Sequence, residues 1–418
     1  MQRTVRTAAA TAFAVALLAT ACSTKGSTPS AAASDGGVAM GPGVTAHAIK
    51  LGVLTDLSGP IGPQGKAGLA GIKLFWEQQN ARGGVCDRTV EIVARDNQYN
   101  VQKSVVHYAA LRNEVLGLQN FAGAADVLAV QQQIKSDRMV VLPGSYDSAI
   151  LAIPTAPLPG SPYDIEAING VSYLVGAKKI AEGDTIGVIH YPSGIGTNVL
   201  AGVKAAAEHF KLRLVEQEID PTSSDVTAQV AAMKAAGAKV IVMGTSGTQT
   251  VAVASLAYSS GYRVTVQAPN LISAASVTGP ARDALVKTVV LTGNTSPFSA
   301  DKPVIKEMLA AFKAEYPDTD ITAPAGAGYV FAKIYLQILE RACANKDLTR
   351  DGLATALAQL TSIDSGGMQV ALDFSKPGEP ASRESFIMKP DPASVDGVSV
   401  VQEPKASELA LSYVPTGR

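Results

Sequence analysis

The sequence predicts an α/β fold in which parallel sheets are flanked by helices. Three observations carry this. Strand-like apolar runs alternate with helix-period segments that close on glycine, the pattern of βαβ units. The alternation comes in two blocks, residues 48–151 and 164–268, joined by the Pro-rich stretch "LAIPTAPLPGSP". Runs such as "KVIVMG" are apolar throughout, as expected of strands covered on both faces.

The chain opens with Arg3 and Arg6, no acid, and an apolar run from Ala8 to Ala19. A positive start, a short greasy middle and small residues at the end read as a secretory signal over residues 1–21. The run is shorter than the roughly 20 apolar residues a spanning helix needs. The arginines are not adjacent, which favours the general export route over the twin-arginine one. Ala19, Thr20 and Ala21 stand before Cys22, and this resembles the lipobox of bacterial lipoproteins. Leu18 lies four places before the cysteine, and Ala19 occupies the usual leucine position. The resemblance implies a diacylated Cys22 and a protein anchored at the cell membrane by its N-terminal lipid, facing the extracytoplasmic side. The plainer alternative is an ordinary signal cleaved after Ala21. Residues 22–46 then supply the lipid site and a Ser/Gly/Ala-rich stretch with too little apolar surface to order, read as a flexible tether.

From Ile49, "IKLGVLTDL" is a strand closing in the loop "SGPIGPQG". Residues 66–82 follow as a helix with Leu69, Ile72, Phe75 and Trp76 on one face, stopping at Gly83-Gly84. "TVEIVARD" alternates as a strand, and Asn100 is placed to cap a helix over 101–113. "EVLGLQNFA" and "MVVLPG" are two further strands. The second block repeats the cadence with "TIGVIH", "LRLVEQEI", "KVIVMG" and "RVTVQA"; its helices end at Gly237 and Gly261, and Ser224 or Asp225 caps the helix before Gly237. Another strand, "TVVLTGN", precedes helices over 302–316, 325–344 and 350–360. Two short strands, "GMQVALDF" and "ESFIMKP", close the fold.

Parallel α/β sheets place ligand chemistry at the carboxyl ends of their strands. Those ends carry "DLSGPIGPQG", "FAGAAD", "PGSYDS", "HYPSGIG", "GTSGT" and "APNLIS", rich in small polar donors. Ser58, Gln64 and Thr245 are candidate ligand contacts in these loops. Tyr146 either stacks on a ligand or packs against the connection between the blocks.

The 418 residues suggest two domains, and the 47% hydrophobic content suffices for large cores. With 35 basic and 36 acidic residues and no basic run, nucleic acid is not expected as a partner. His47, His107, His190 and His209 lack metal-ligand spacing, so neither a metal nor another cofactor is expected. Cys86 and Cys343 are an even pair in an oxidising compartment, read either as a disulfide or as two buried thiols.

Tests for catalysis fail. "GPIGPQGKA" has five residues between Gly59 and Gly65, where a nucleotide loop needs four, and Ala67 replaces the metal-binding Ser/Thr. "GTSGT" is one residue out of step with a nucleophile elbow. Asp126 and Asp147 are the only acids weighed as a catalytic pair, against a plainer role as caps. A hydrolase on a two-lobe frame is the alternative this leaves, and no enzyme is expected.

The stretch "IKLGVLTDLSGPIGPQGKAGLAGIKLFWEQQNARGGVCDRTVEIVARDNQYN" resembles the opening of type I substrate-binding proteins of ABC importers, the branched-chain amino-acid-binding group. Family elements appear in order: an "IKIG"-type strand, an "L-S/T-G" loop, and a helix ending "N-GGV-GR", the last element here being Cys86-Asp87-Arg88. "LVGAKKIAEGDTIGVIHYPSGIG", "AQVAAMKAAGAKVIVMGTSG" and "AGAGYVFAKIYLQILERA" also resemble the family. The resemblance implies a two-lobed type I periplasmic binding protein fold with a hinge of three crossovers. Lobe 1 would take residues 47–157 and 271–362, lobe 2 residues 158–270 and 363–405, with 406–418 as a tail. Cys86 and Cys343 would then share a lobe.

The implied function is capture of a small-molecule ligand between the lobes and delivery to the permease subunits of an ABC importer, by a monomer. A sensory receptor of the same fold is the alternative partner reading. By resemblance, Ala122, Gly123 and Ala124, with Ser145, Tyr146 and Asp147, match the loops that hold an amino-acid carboxylate. Ile195 stands where a closing tyrosine is usual, with Tyr191 close by. Asn270 matches the acid that pairs the ligand ammonium. An amide cannot neutralise a buried ammonium, and Asp147 would repel a carboxylate. The expected ligand is therefore not a standard α-amino acid, but a neutral polar molecule, or an organic acid if Asp147 points away.

Overall fold

The computed structural model describes residues 33–35, 37–317 and 321–416. The expected signal segment and Cys22 lie outside the described residues. In chain order, β1 (Ala33–Asp35), β2 (Val38–Met40) and β3 (Ala48–Thr55) lead to α1 (Gly62–Ala81) and β4 (Thr89–Asp96). Then come α2 (Val101–Leu111), β5 (Gly117–Phe121), α3 (Ala124–Ala129), α4 (Gln131–Asp137) and β6 (Val141–Pro143). The strands β3 to β6 form a wholly parallel sheet in the order β4-β3-β5-β6.

The second sheet is built from the next run of elements. These are α5 (Tyr163–Gly176), β7 (Thr185–His190), α6 (Ile195–His209), β8 (Arg213–Glu218), α7 (Thr227–Ala235) and β9 (Ala238–Gly244). They continue as α8 (Gly247–Ser259), β10 (Thr265–Pro269), α9 (Ala274–Thr278), α10 (Arg282–Thr288) and β11 (Val289–Gly293). The chain then returns to the first half with α11 (Pro303–Glu315), α12 (Ala323–Ala344), β12 (Asp347–Leu348) and α13 (Arg350–Ala358). It finishes with β13 (Ser385–Pro390), β14 (Val398–Lys405) and α14 (Glu408–Ser412). The second sheet runs β14-β13-β11-β10-β9-β7-β8, parallel from β8 to β11 and antiparallel at β13 and β14.

Local chemistry explains the element ends. Asn100 caps α2, its side chain accepting from the Lys103 N–H at 3.0 Å. Gly83 and Gly84 take φ of +107° and +72° just beyond α1, a left-handed exit open to glycine. Helices α1 and α12 cross so closely that a Cβ on Gly71 would lie 1.9 Å from the Ala325 carbonyl oxygen. Trp76, fully buried beneath this crossing, donates its indole N–H to Gln119 Oε1 at 2.5 Å.

Three expectations need correction. "GMQVALDF" alternates like a strand but is none; it is an extended pass between the halves with one bridge, Gln369 to Thr295. Its polar backbone is satisfied outside a sheet, Val370 N–H donating to the Asn294 carbonyl and Phe374 N–H to that of Leu360. The boundary at 270/271 falls one strand early, because β11 pairs in parallel with β10 and so belongs to the second sheet. Nor is residue 46 the end of a free tether. Val38–Met40 pairs with β12, and the Lys50 N–H binds the Gly43 carbonyl.

Cys86, in the turn after α1, and Cys343, at the end of α12, are disulfide-bonded, with Cα atoms 6.1 Å apart and a sequence separation of 257. So long a loop restrains the unfolded chain strongly. Reduction, or Cys343→Ser, should lower unfolding free energy by about 2–4 kcal/mol. Urea unfolding with and without reductant measures this; coincident curves would show that the bond carries no stability.

Candidate functional site

The chain passes between the two sheets three times, at 153–162, 294–302 and 359–384. The three passes meet at one buried side chain. Asn294 Oδ1 accepts from the Ser161 N–H at 2.8 Å and its hydroxyl at 3.0 Å, and Asn294 Nδ2 donates to the Ser161 carbonyl at 3.0 Å and to Glu166 Oε1. Ser161 Oγ reaches the Glu384 carbonyl at 2.5 Å, and the Gln369 amide donates to the Pro159 carbonyl. Gly160 is required here, since a Cβ would lie 2.4 Å from the Asn294 side chain.

Tyr146 belongs to this hub. Gln369 and Thr295 lie beside its hydroxyl, its carbonyl accepts from the Tyr163 N–H at 2.9 Å, and its ring meets Tyr163 edge-on at 5.8 Å. Tyr146 packs against the crossings.

The strand-end loops of the first half are braced by carboxylates. Asp56 accepts from the N–H groups of Ser58 at 3.1 Å, Gly59 at 2.5 Å and Ile61 at 2.8 Å. Asp96 accepts from Leu57 N–H and from Ser58 Oγ at 2.6 Å. Burial pushes Asp96 up, but these bonds and those from Gln98 outweigh it and bring its pKa down to about 2. Ser58 is thus tied to Asp96, and Gln64 is exposed on the first turn of α1. Ala122 is buried with its N–H on the Leu54 carbonyl, Gly123 takes φ +92°, and Ala124 starts α3. Ser145 is buried beside them.

Both acids weighed as catalytic hold structural bonds. Asp126 accepts from Ser104 Oγ at 2.6 Å, and Asp147 caps the short turn Ser148–Ala152 through the Ala149 N–H at 3.0 Å. Burial raises the pKa of each.

In the second half, Tyr191 follows β7, and its hydroxyl accepts from the Ser246 N–H at 3.0 Å. Ser246 also caps α8. Ile195 opens α6, and Thr245 is buried at the end of β9. Asn270 follows β10, but its amide faces Met388 Sδ at 3.9 Å, toward β13. The halves touch at Ser148, whose N–H binds Asn198 Oδ1 at 3.3 Å and whose hydroxyl accepts from the Asn198 amide. The C-terminal segment lies across the same place. Arg383 binds the Ala410 and Tyr413 carbonyls at 2.7 Å each, and Thr416 Oγ1 is 3.4 Å from Ser148 Oγ.

The hub residues Asn294, Gln369 and Glu166 were not singled out from sequence. Their signal is a side chain bonding to a partner more than a hundred positions away, which no local pattern carries. Among the described residues no cluster of His, Cys, Asp and Glu could hold a metal, and no helix is long and apolar enough to cross a membrane.

Glu166 is 2% exposed, and burial pushes its pKa up to about 8, against the pull of Asn294 and with a further push from Asp164. The folded protein therefore binds this proton more tightly than the unfolded chain does. Stability from it is full below the ordinary pKa of 4.5 and is lost as pH rises through 8. Asp164, raised to about 6 chiefly by burial, adds a loss between 3.8 and 6. Glu166→Gln should therefore remove the decline between pH 6 and 8, leaving the variant more stable than wild type at pH 8. Melting temperatures across this range test it; parallel curves would mean that Glu166 is ionised throughout.

A family model described as "Periplasmic binding protein" matches residues 48–394. The "Fatty acid ABC transporter substrate-binding protein from Thermomonospora curvata" is 37% identical, with a TM-score of 0.86 over 91% of this chain and 98% of that one. A branched-chain amino acid ABC transporter structure from Thermus thermophilus with bound valine is 18% identical, with a TM-score of 0.76 over 89% of this chain and 98% of the other; it shows the fold alone. "Leu/Ile/Val-binding protein homolog 7" of Brucella suis is 23% identical over 318 residues, 70% of this chain and 77% of that one.

Proposed function

This chain belongs to the periplasmic binding protein family, and on that premise we propose that it captures a carboxylate with an apolar tail between its two halves and passes it to an ABC importer. At the coarser level it is a substrate-binding protein of the ABC-transporter type. The observation that carries the reading is that the loop after β6 in one sheet meets the first turn of α6, which follows β7 in the other, at the carboxyl ends of parallel strands, the place where such strands bind ligands.

The choice of ligand rests on three supports. Asn270 brings no charge to pair an ammonium, and an unpaired buried ammonium is costly. Helices α6 and α8 both begin at the loops of the second half, and helix N-termini favour a carboxylate. The Thermomonospora protein, named for fatty-acid transport, is similar over nearly the whole chain. Asp147 is no obstacle, because its carboxylate turns back onto the Ala149 N–H. The two lobes, with the three passes as their hinge, are part of this proposal, and so is the lipid anchor at Cys22.

Two measurements test it. After removal of co-purified lipid, calorimetry with decanoate and palmitate should give micromolar or tighter binding, and leucine and valine none. Leucine binding without fatty-acid binding would overturn the ligand choice. Cys22→Ser expressed in a host that processes lipoproteins should move the protein from the membrane to the soluble fraction. Unchanged membrane retention would remove the anchor from the proposal.

A further inference from the structure

The loop after β4 carries Tyr99, which bonds to none of the residues of the hub. It runs Asp96-Asn97-Gln98-Tyr99-Asn100 and contains no glycine, yet Gln98 and Tyr99 both adopt left-handed backbone, φ +52° and +51°. Two successive side-chain-bearing residues in that region are strained, and such strain persists only where the surroundings enforce it.

The surroundings do enforce it. Asn97 is fully buried; its amide donates to Ser104 Oγ at 3.0 Å, and its Oδ1 accepts the Tyr99 N–H at 3.1 Å. Asp96 Oδ1 accepts the Gln98 N–H at 3.0 Å, and the Asn100 N–H closes back on the Asn97 carbonyl at 3.0 Å. The loop is wedged between its neighbours on the carboxyl edge of the sheet. A Cβ on Gly59 would lie 2.7 Å from the Gln98 carbonyl oxygen, while Asn97 reaches the Ala122 carbonyl at 3.5 Å.

What this rigid device displays is a large aromatic ring, 49% exposed. Asp126 and Asp56 of its own half and Tyr191 and Tyr163 of the other are close enough to act electrostatically on its hydroxyl. Tyr191 in turn is held in place by the Ser246 N–H. A surface tyrosine needs neither left-handed backbone nor a buried asparagine beneath it.

We propose that Tyr99 is a specificity-determining residue of the ligand cleft, its ring forming the rim of the first half that packs on the apolar part of the ligand opposite Tyr191. The inference rests on the function proposed above and adds the residue that reads the ligand's tail. An aromatic ring gives apolar contact that grows with the length of chain laid against it, so the ring sets a preference for longer tails.

The test uses the delipidated full chain and three probes: octanoate, myristate and stearate. Tyr99→Asn suits the left-handed backbone, so the unliganded variant should melt at or above the wild-type temperature. It should bind myristate and stearate at least about tenfold more weakly, with octanoate affected less. Tyr99→Phe, which keeps the ring, should retain the wild-type preference for long chains. Equal affinities for wild type and Tyr99→Asn at every chain length would overturn this inference and leave the proposed function standing. Equal weakening in Tyr99→Phe and Tyr99→Asn would overturn the apolar contact in favour of the hydroxyl. A wild-type protein that binds none of the three probes would instead overturn the ligand class, and this inference with it.

Discussion

The rest of the molecule depends on the hydrogen bonds of one buried amide, that of Asn294. The chain must cross between two sheets three times without a sheet ladder to satisfy its backbone, and an unpaired buried N–H or C=O is expensive. The Asn294 side chain serves Ser161 in the first pass and Glu166 at the start of α5, while its own carbonyl accepts Val370 from the third pass. Ser161 then extends the bonding to Glu384. The amide oxygen accepts from the Ser161 N–H and both amide hydrogens are donated, while the one Ser161 hydroxyl proton is shared between Asn294 Oδ1 and the Glu384 carbonyl; a buried network so satisfied fixes its geometry.

From that fixed point the two halves present unlike surfaces. The loops of the first half are rigid, because Asp56, Asp96 and Asn97 each spend their side chains on nearby backbone N–H groups. Those of the second half are held mainly by helix starts and by the bond between Tyr191 and Ser246. Contacts between the halves include Ser148 with Asn198 and Tyr146 with Tyr163, and the C-terminal segment from Ala410 to Thr416 is laid over the first of these.

Much of the fold was legible because βαβ units write themselves into local patterns. Gly83-Gly84, Gly237 and Gly261 lie just beyond helices as the periodicity implied, and Asn100 caps α2. The errors have physical reasons. "GMQVALDF" alternates because a buried crossing also needs apolar side chains, and only its bonding to Asn294 and Leu360 tells it from a strand. The family resemblance places "TVVLTGN" in lobe 1, yet β11 pairs with β10, because membership of a sheet is a pairing between distant segments that this stretch does not encode. Val38–Met40 looked too poor in apolar surface to order alone, and it orders on β12. In the site, the strand ends were legible from their loops. The left-handed pair at Gln98-Tyr99 was not, since it carries no glycine to announce it.

The central claim is that the two halves turn about the Asn294 hub and close on a bound solute. Small-angle X-ray scattering of the delipidated protein, with and without saturating ligand, tests this most directly. Closure predicts a smaller radius of gyration with ligand, and Asn294→Ala should bind more weakly because the hinge geometry is loosened. Saturated binding with no change in the radius of gyration would contradict it.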